Sequence, residues 1–439
     1  MTANTIKSYS FDRNSVKAGI LHFGVGNFHR AHLEYMTSHL LEDPTQHGWG
    51  ICGAMILERD EPLYKALKAQ DGEYTLTVCG RDGNNEVYRL GALVELYWGI
   101  EEKNSILNKI ADPDIRIITL TITEGGYNIS RQTGEFMLDN PQVVHDLEHP
   151  DDPQTAFGYV AEGLRRRVAS GSGPITILSC DNLQHNGNTA RCAFMSFVEA
   201  QDKELAAWME ENVTFPNSMV DRITPATHPE DIKRLNEEND TEDKAPVYCE
   251  DFIQWVVEDN FAAGRPAWEK VGAQMTDDVT AFENMKLSLL NASHTLLSYP
   301  SFLYKQTLCE RFGNRSVSDQ VARLCFDGAS KFPVYVMPNL EKMISDDKQL
   351  IRVAYLFAAY RHYLKYHTDD NGEQFEVADP WLTANDQQLI ASNEPLDFLA
   401  LSPFRSTDLR EADNFTQPYL QMVESIKNEG AMKTLEEIL

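Results

Sequence analysis

The chain has 439 residues, 39 of them basic and 67 acidic, for a formal charge of −28. This length is too great for one ordinary core and predicts two substantial lobes; the acidity, with no strong basic patch, excludes nucleic acid and anionic membrane surfaces as partners. Seven scattered cysteines form no C-x-x-C pair, no run of 18 residues is free of polar groups, and the opening stretch MTANTIKSYSFDRN has no apolar signal region, so a cytoplasmic protein without disulfides, structural zinc or a membrane span is expected.

The first predicted strand, AGILHF (18–23), runs into Gly24-Val25-Gly26 and then into a helical pattern from Phe28 to Leu41. Glycines at a strand-to-helix turn let backbone N–H groups approach a phosphate, and the helix N-terminus favours its charge. His29 stands where the dinucleotide fingerprint has its third glycine, and Arg30 follows, its charge expected near a pyrophosphate. Taken alone, Gly24-Val25-Gly26 fits a tight turn without a ligand equally well. His29 and His32 have no third ligand near them in sequence, so no metal site is predicted. A second strand, GICGAMIL (50–57), ends at Glu58 with Asp60 beyond it. A carboxylate at this place bonds ribose hydroxyls and repels the extra phosphate of NADP, which favours NAD. Glu58 lies 34 residues past Gly24, further than the usual interval of about 20.

The stretch EYTLTVCGRDGNNEVYRLGALVEL, two alternating runs around Asp82-Gly83, reads as an inserted β-hairpin. RIITLTIT (116–123) and PITILSC (174–180) complete a set of near-continuous apolar runs, the pattern of strands buried on both faces of a parallel sheet. Helical patterns between them, such as Ala156 to Ala169, indicate a doubly wound α/β domain. Arg165-Arg166-Arg167 on that helix reads as a solvated face, and NEENDTEDK (236–244) as a solvated loop. After the fourth run, SCDNLQHNGN (179–188) places Asp181 and Asn182 at the carboxyl end of a strand, where an open α/β sheet keeps its ligand crevice. Capping the next helix is their alternative role.

From about Thr280 the texture changes to long helical patterns. On FENMKLSLLNASH (282–294), at 100° per residue, Lys286, Glu283, His294 and Asn291 fall at about 0°, 60°, 80° and 140°, within one arc. The other positions, including Met285, Leu287, Leu289 and Leu290, are largely apolar, which predicts a helix buried nearly all round. Desolvation lowers a lysine pKa from about 10.4 toward 7 to 8, suiting it to act as a general base. A structural ion pair with Glu283 is the alternative.

GVGNFHRAH (24–32), TITEGGY (121–127), SCDNLQHNGN, FPNSMVDRITP (215–225), CEDFIQWVVEDNF (249–261), GRPAWEKVGAQ (264–274) and KLSLLNASH (286–294) occur in this order along almost the whole chain. Together they resemble the polyol-specific long-chain dehydrogenases/reductases, the mannitol dehydrogenase family. The resemblance implies an α/β fold: a Rossmann-like dinucleotide-binding domain carrying the inserted hairpin over 1–278, and a mostly α-helical substrate domain over 279–439, with the active site between them. It implies metal-independent hydride transfer between a sugar alcohol and its ketose, D-mannitol and D-fructose, with NAD as cofactor. Arabinitol oxidation and fructuronate or tagaturonate reduction are the alternatives within the family, and a non-catalytic sugar- or nucleotide-binding protein is the alternative outside it. Lys286 would be the general base, Asn182 and Asn291 would bond the reacting oxygen, Glu283 would pass the proton to water, and Asp221 and His294 would bind other hydroxyls. Gly24, Val25, Gly26, Asn27, Phe28 and Arg30 would form the nucleotide turn, Glu58 would meet the ribose, and Glu124 and Val220 would line the cofactor pocket. A substrate-binding arginine of the family falls at Arg361 or beside it at His362. A monomer or weak homo-oligomer is expected.

Overall fold

The computed structural model describes residues 5–80, 84–130, 133–286, 347–377, 379–404 and 408–438, and between 286 and 347 residues 299, 302, 303 and 332–337. The chain divides into two compact units, Met1–Phe282 and Glu283–Leu439.

In chain order the strands of the first unit are β1 (Ile6–Ser8), β2 (Ala18–Phe23), β3 (Gly50–Met55), β4 (Tyr74–Cys79), β5 (Asn85–Leu90), β6 (Leu93–Trp98), β7 (Ile117–Leu120), β8 (Ile175–Ser179), β9 (Val213–Thr214), β10 (Ser218–Asp221), β11 (Val247–Glu250), β12 (Gln254–Glu258) and β13 (Gln274–Thr276). Six of them form one sheet in the order β6-β3-β2-β7-β8-β9, with every pairing parallel. Counted by their appearance in this sheet, that is the 3-2-1-4-5-6 order of a dinucleotide-binding domain, and its direction reverses between β2 and β7. Every residue of β2, β3, β7 and β8 is buried, as their apolar runs require of strands covered on both faces. Helices Gly99–Ala111 and Ala156–Ser170 pack on one side of the sheet through Ile106, Ile110, Val160 and Leu164.

The expected hairpin is present: β4 and β5 pair antiparallel from Tyr74↔Leu90 to Cys79↔Asn85, while its predicted turn at Asp82-Gly83 lies outside the described residues. The last part of that stretch does not belong to the hairpin. Leu93–Trp98 is the edge strand β6 of the main sheet, and β4 and β5 join β1 and β11 in a separate four-stranded sheet. The helix expected from Phe28 to Leu41 is broken at His32 (φ −118°, ψ −85°) into Asn27–Ala31 and Leu33–Leu40.

Two surface assignments are corrected. Arg167 is not on a solvated face: it is 1 % exposed and donates to the carbonyls of Ile110, Asp112, Ser172, Gly173 and Pro174, closing the end of one helix against the entry to β8. Its neighbours Arg165 and Arg166 are half-buried, each paired with Glu162. In the acidic stretch 236–244, residues to Asn239 continue a helix. Asp243 accepts from Thr75 N, Ala245 N and Gln70, so the stretch anchors β4 rather than floating.

The described part of the second unit is helical, including Asp347–Tyr366, Ala384–Ala391, Asp413–Glu429 and Ala431–Ile438. Its core is aromatic: Phe332, Phe357, Tyr360, Phe398, Phe404, Phe415 and Tyr419 are all essentially buried. No described helix is long and apolar enough to cross a membrane.

Candidate active site

The turn after β2 combines one closed and one open glycine. Gly24 has φ +95°, and a Cβ there would lie 2.2 Å from the Thr121 carbonyl, so only glycine fits. A Cβ on Gly26 would meet nothing nearer than the Gly24 carbonyl at 3.8 Å. Gly26 precedes the first helix at the carboxyl end of the central strand, and the space before it can receive a phosphate group.

The side chains around this turn are committed inward. Val25 is 2 % exposed in the core. Asn27 donates to Pro225 O and Thr227 Oγ1 and accepts from Arg30. Arg30 is itself 2 % exposed, donates to Ala245 O and lies over the Tyr74 ring. Its expected placement beside a pyrophosphate is therefore corrected: three residues beyond Asn27 on a helix, it turns into the core. His29, where a third glycine was sought, stacks on His22 at 3.4 Å between ring centroids. Phe28 is half-buried and stacks on His32.

Glu58 is exposed and opens a short 3-10 turn just past the end of β3. Its wide spacing from Gly24 is taken up by the broken helix and a further 3-10 segment, Pro44–Trp49. Asp60, expected beside it, accepts from Leu57 N, and burial raises its pKa.

Beyond β7, Glu124 is exposed at the start of the turn Glu124–Tyr127. Beyond β8, Asn182 is exposed but Asp181 is only 8 % exposed. The Asp181 carboxylate turns sideways along the sheet, accepting from Ile122 N (3.0 Å), Thr123 N (2.9 Å) and Tyr127 Oη (2.7 Å). Its expected orientation into a ligand crevice is therefore corrected, because the unpaired backbone of the neighbouring loop claims both oxygens. The next helix begins at Asn186, with His185 as its N-cap residue. Burial raises the Asp181 pKa, against the pull of these bonds.

Val220 is 2 % exposed on β10 and Asp221 is half-buried at its end. Asn186, fully buried, donates to Ser179 O and Ser218 Oγ and accepts from Ser218 N, tying β10 to the end of β8. Arg222 is also buried and donates to Ala31 O and Glu250 O. Sequence reasoning missed the anchoring roles of Asn186, Arg222 and Tyr127. A polar residue within each quoted motif was the available signal, but it does not reveal the direction of the side chain.

In the second unit, Glu283 is 4 % and Lys286 8 % exposed, three residues apart at the end of the helix Thr280–Met285. Met285 is 47 % exposed, so the expectation of burial all round is corrected at this position: here the charged residues are inside and the apolar one outside. Asn291 and His294 lie outside the described residues. Arg361 is 4 % exposed; His362 is half-buried, lies against the Tyr366 ring at 46° between planes, and has its pKa lowered by burial.

Residues 18–270 match the family model of the mannitol dehydrogenase Rossmann domain and residues 303–427 that of the mannitol dehydrogenase C-terminal domain. A polyol:NADP oxidoreductase of Gluconobacter oxydans is 38 % identical, covering 94 % of this chain and 96 % of its own. A mannitol 2-dehydrogenase of Aspergillus fumigatus is 35 % identical over 96 % and 93 % of the two chains. Among solved structures, a substrate-free D-sorbitol dehydrogenase matches with a TM-score of 0.88 and 37 % identity over 98 % of this chain and 97 % of that one. Pseudomonas fluorescens mannitol 2-dehydrogenase, in a ternary complex with NAD and D-mannitol, matches with a TM-score of 0.79 and 36 % identity over 99 % and 96 %. With both domain models matched in order and full-length relatives above a third identical, the chain belongs to the mannitol dehydrogenase family.

Proposed function

We propose that the protein interconverts D-mannitol and D-fructose, with NAD as cofactor, Lys286 as general base and residues 1–278 and 279–439 as its dinucleotide and substrate domains. The observation that carries this reading is the end-to-end likeness to a mannitol 2-dehydrogenase solved with NAD and D-mannitol. The open face of Gly26 and the exposed carboxylate of Glu58 just past the adjacent strand fit a dinucleotide. NAD, when bound, supplies the hydride acceptor. The chain's own groups do the rest: Lys286 takes the hydroxyl proton, Asn182 and Asn291 donate to the oxygen as negative charge develops, and Glu283 hands the proton to water. Asp221 and His294 hold the remaining hydroxyls, with Arg361 or His362 as a further contact. The protein works as a cytoplasmic monomer or weak homo-oligomer.

A second reading, another polyol or NADP in place of NAD, is favoured by the likeness to the polyol:NADP oxidoreductase and the D-sorbitol dehydrogenase. Initial rates with NAD and NADP across D-mannitol, D-sorbitol, arabinitol and, in reverse, fructose and fructuronate separate the two. The highest kcat/KM is expected for D-mannitol with NAD; preference for NADP or another substrate would replace the first reading. Lys286→Ala should lower turnover at least 10²-fold with NAD affinity and melting temperature near those of the unaltered protein, and a small added primary amine should restore part of it. A folded Lys286→Ala protein with near-normal turnover would end the proposed chemistry.

A further inference from the structure

We infer that Asp181 is a positioning residue, whose buried carboxylate sets the 122–124 loop, and with it Glu124, against Asn182. The inference rests on the functional reading above for the roles of Glu124 and Asn182. Its geometry stands by itself.

Two segments that carry candidate residues leave adjacent parallel strands, β7 and β8, at the same edge of the sheet. Past the last rung no ladder bond fixes one to the other except Cys180 N to Leu120 O. Asp181 takes over there. One carboxylate oxygen receives Thr123 N and the other receives both Ile122 N and Tyr127 Oη. Tyr127, fully buried, also reaches Ser179 Oγ at 2.6 Å, so its ring closes the loop back onto β8. All three donors to Asp181 are neutral, and a carboxylate among neutral donors is retained for its two acceptor atoms rather than for an ion pair.

The loop it grips needs holding. Thr123 has φ +65° and ψ 164°, a conformation that β-branched residues rarely adopt and that persists only when the surroundings over-determine it. Glu124 is the next residue, so its direction follows from the Thr123 dihedrals. On the other side, the Asp181 main chain is fixed as well. Its carbonyl accepts from Asn186 Nδ2, and its N–H donates to Ser179 Oγ. Asn182 follows directly. One side chain thus links the strained residue before Glu124 to the residue before Asn182.

Asp181→Asn keeps the volume but has one acceptor oxygen, so whichever way the amide turns, either Ile122 N–H or Thr123 N–H faces an NH2 group. Tyr127→Phe removes one donor and leaves both backbone bonds. Turnover of D-mannitol, counted per NADH-binding site so that misfolded molecules do not enter, should fall at least tenfold in Asp181→Asn and several-fold in Tyr127→Phe, with polyol KM changed less than threefold. Hydrogen exchange at the Ile122 and Thr123 amides should accelerate in Asp181→Asn while the amides of β7 and β8 stay protected. Unchanged turnover per site, or unchanged exchange at those two amides, would overturn the inference. Should Asp181→Asn not fold, Tyr127→Phe decides, and full turnover there overturns it. If the unaltered protein turned over no polyol, the functional reading would fail, while the exchange measurement would still report whether Asp181 holds the loop.

Discussion

Each of the two units is held together internally by different means. In the first, the carboxyl ends of the parallel strands are fastened by single side chains through directional bonds: Asp181 to the 122–124 loop, Asn186 between β8 and β10, Arg222 between the first helix and Glu250. In the second, the described core is a mass of rings, with Phe404 within 4.8 to 6.4 Å of Phe357, Phe332, Phe398 and Tyr360 between centroids. Hydrogen bonds are sensitive to angle and fix where a side chain points; aromatic burial is large but tolerant of direction. A unit that must aim several polar groups has reason to use the first, and a helical body that needs bulk stability has reason to use the second.

The largest expected effect is on the aromatic side. Phe404→Ala removes a fully buried ring with four aromatic neighbours and should cost about 3–5 kcal/mol, read as a lower urea midpoint of the second unit. A loss below about 1 kcal/mol would mean that the rings are loosely packed and would break the comparison.

Next comes a bond-fastened position in the first unit. Arg167→Met keeps most of the length but leaves five carbonyls without their donor, and should cost about 2 kcal/mol. Burial pulls the Arg167 pKa down to about 10, so the charge is present throughout the neutral range and the loss should not vary between pH 6 and 8. Arg167→Lys should recover little of it, since three donors on a flexible stem cannot reproduce the fork. Equal stability of the methionine variant and the original would show that water replaces the guanidinium.

The same contrast explains what could be read from the sequence. β2, β3, β7 and β8 were legible because a strand buried on both faces is apolar at nearly every position. The edge strand β6 has three half-buried residues and reads like a hairpin arm, and the two-residue β9 is too short to carry a pattern. The positions of Glu58 and Asn182, exposed just past strand ends, were legible from the rule that α/β sheets present residues there, and that of Glu124 only through the family resemblance. The inward turn of Arg30, Arg167 and Asp181 was not. Sequence gives a residue's place on an element, but each of the three has partners tens to hundreds of positions away, such as Ala245 O for Arg30.

The smallest expected effect, taken per pH unit, concerns the polar groups buried beneath the nucleotide turn, and it is a slope rather than a step. Glu34 is fully buried, with Oε2 at 3.5 Å from His29 Nε2, and burial pushes its carboxyl up to about 8, against the opposing pull of Arg30. An unfolded carboxyl titrates near 4.5, so below that pH both states hold the proton and Glu34 makes no pH-dependent difference. Between 4.5 and 8 the folded state keeps a proton that the unfolded state has released, and stability falls as pH rises, by at most about 1.4 kcal/mol per unit. The buried rings of His22 and His29, whose pKa values burial lowers, act in the opposite sense: they are neutral in the folded state and cost stability as pH falls through the ordinary histidine range. Glu34→Gln removes the carboxyl and leaves both histidines, so subtracting the two urea curves isolates it. The glutamine variant should gain on the original from pH 5 to 8 by on the order of 1 kcal/mol per unit, with no further gain above. Tryptophan fluorescence follows this in the right unit, because Trp49, Trp98, Trp208, Trp255 and Trp268 precede residue 282 and only Trp381 lies beyond it. A difference that stays flat with pH would mean that the Glu34 carboxyl titrates alike in both states, and that the polar core under the turn is wetter than its burial implies.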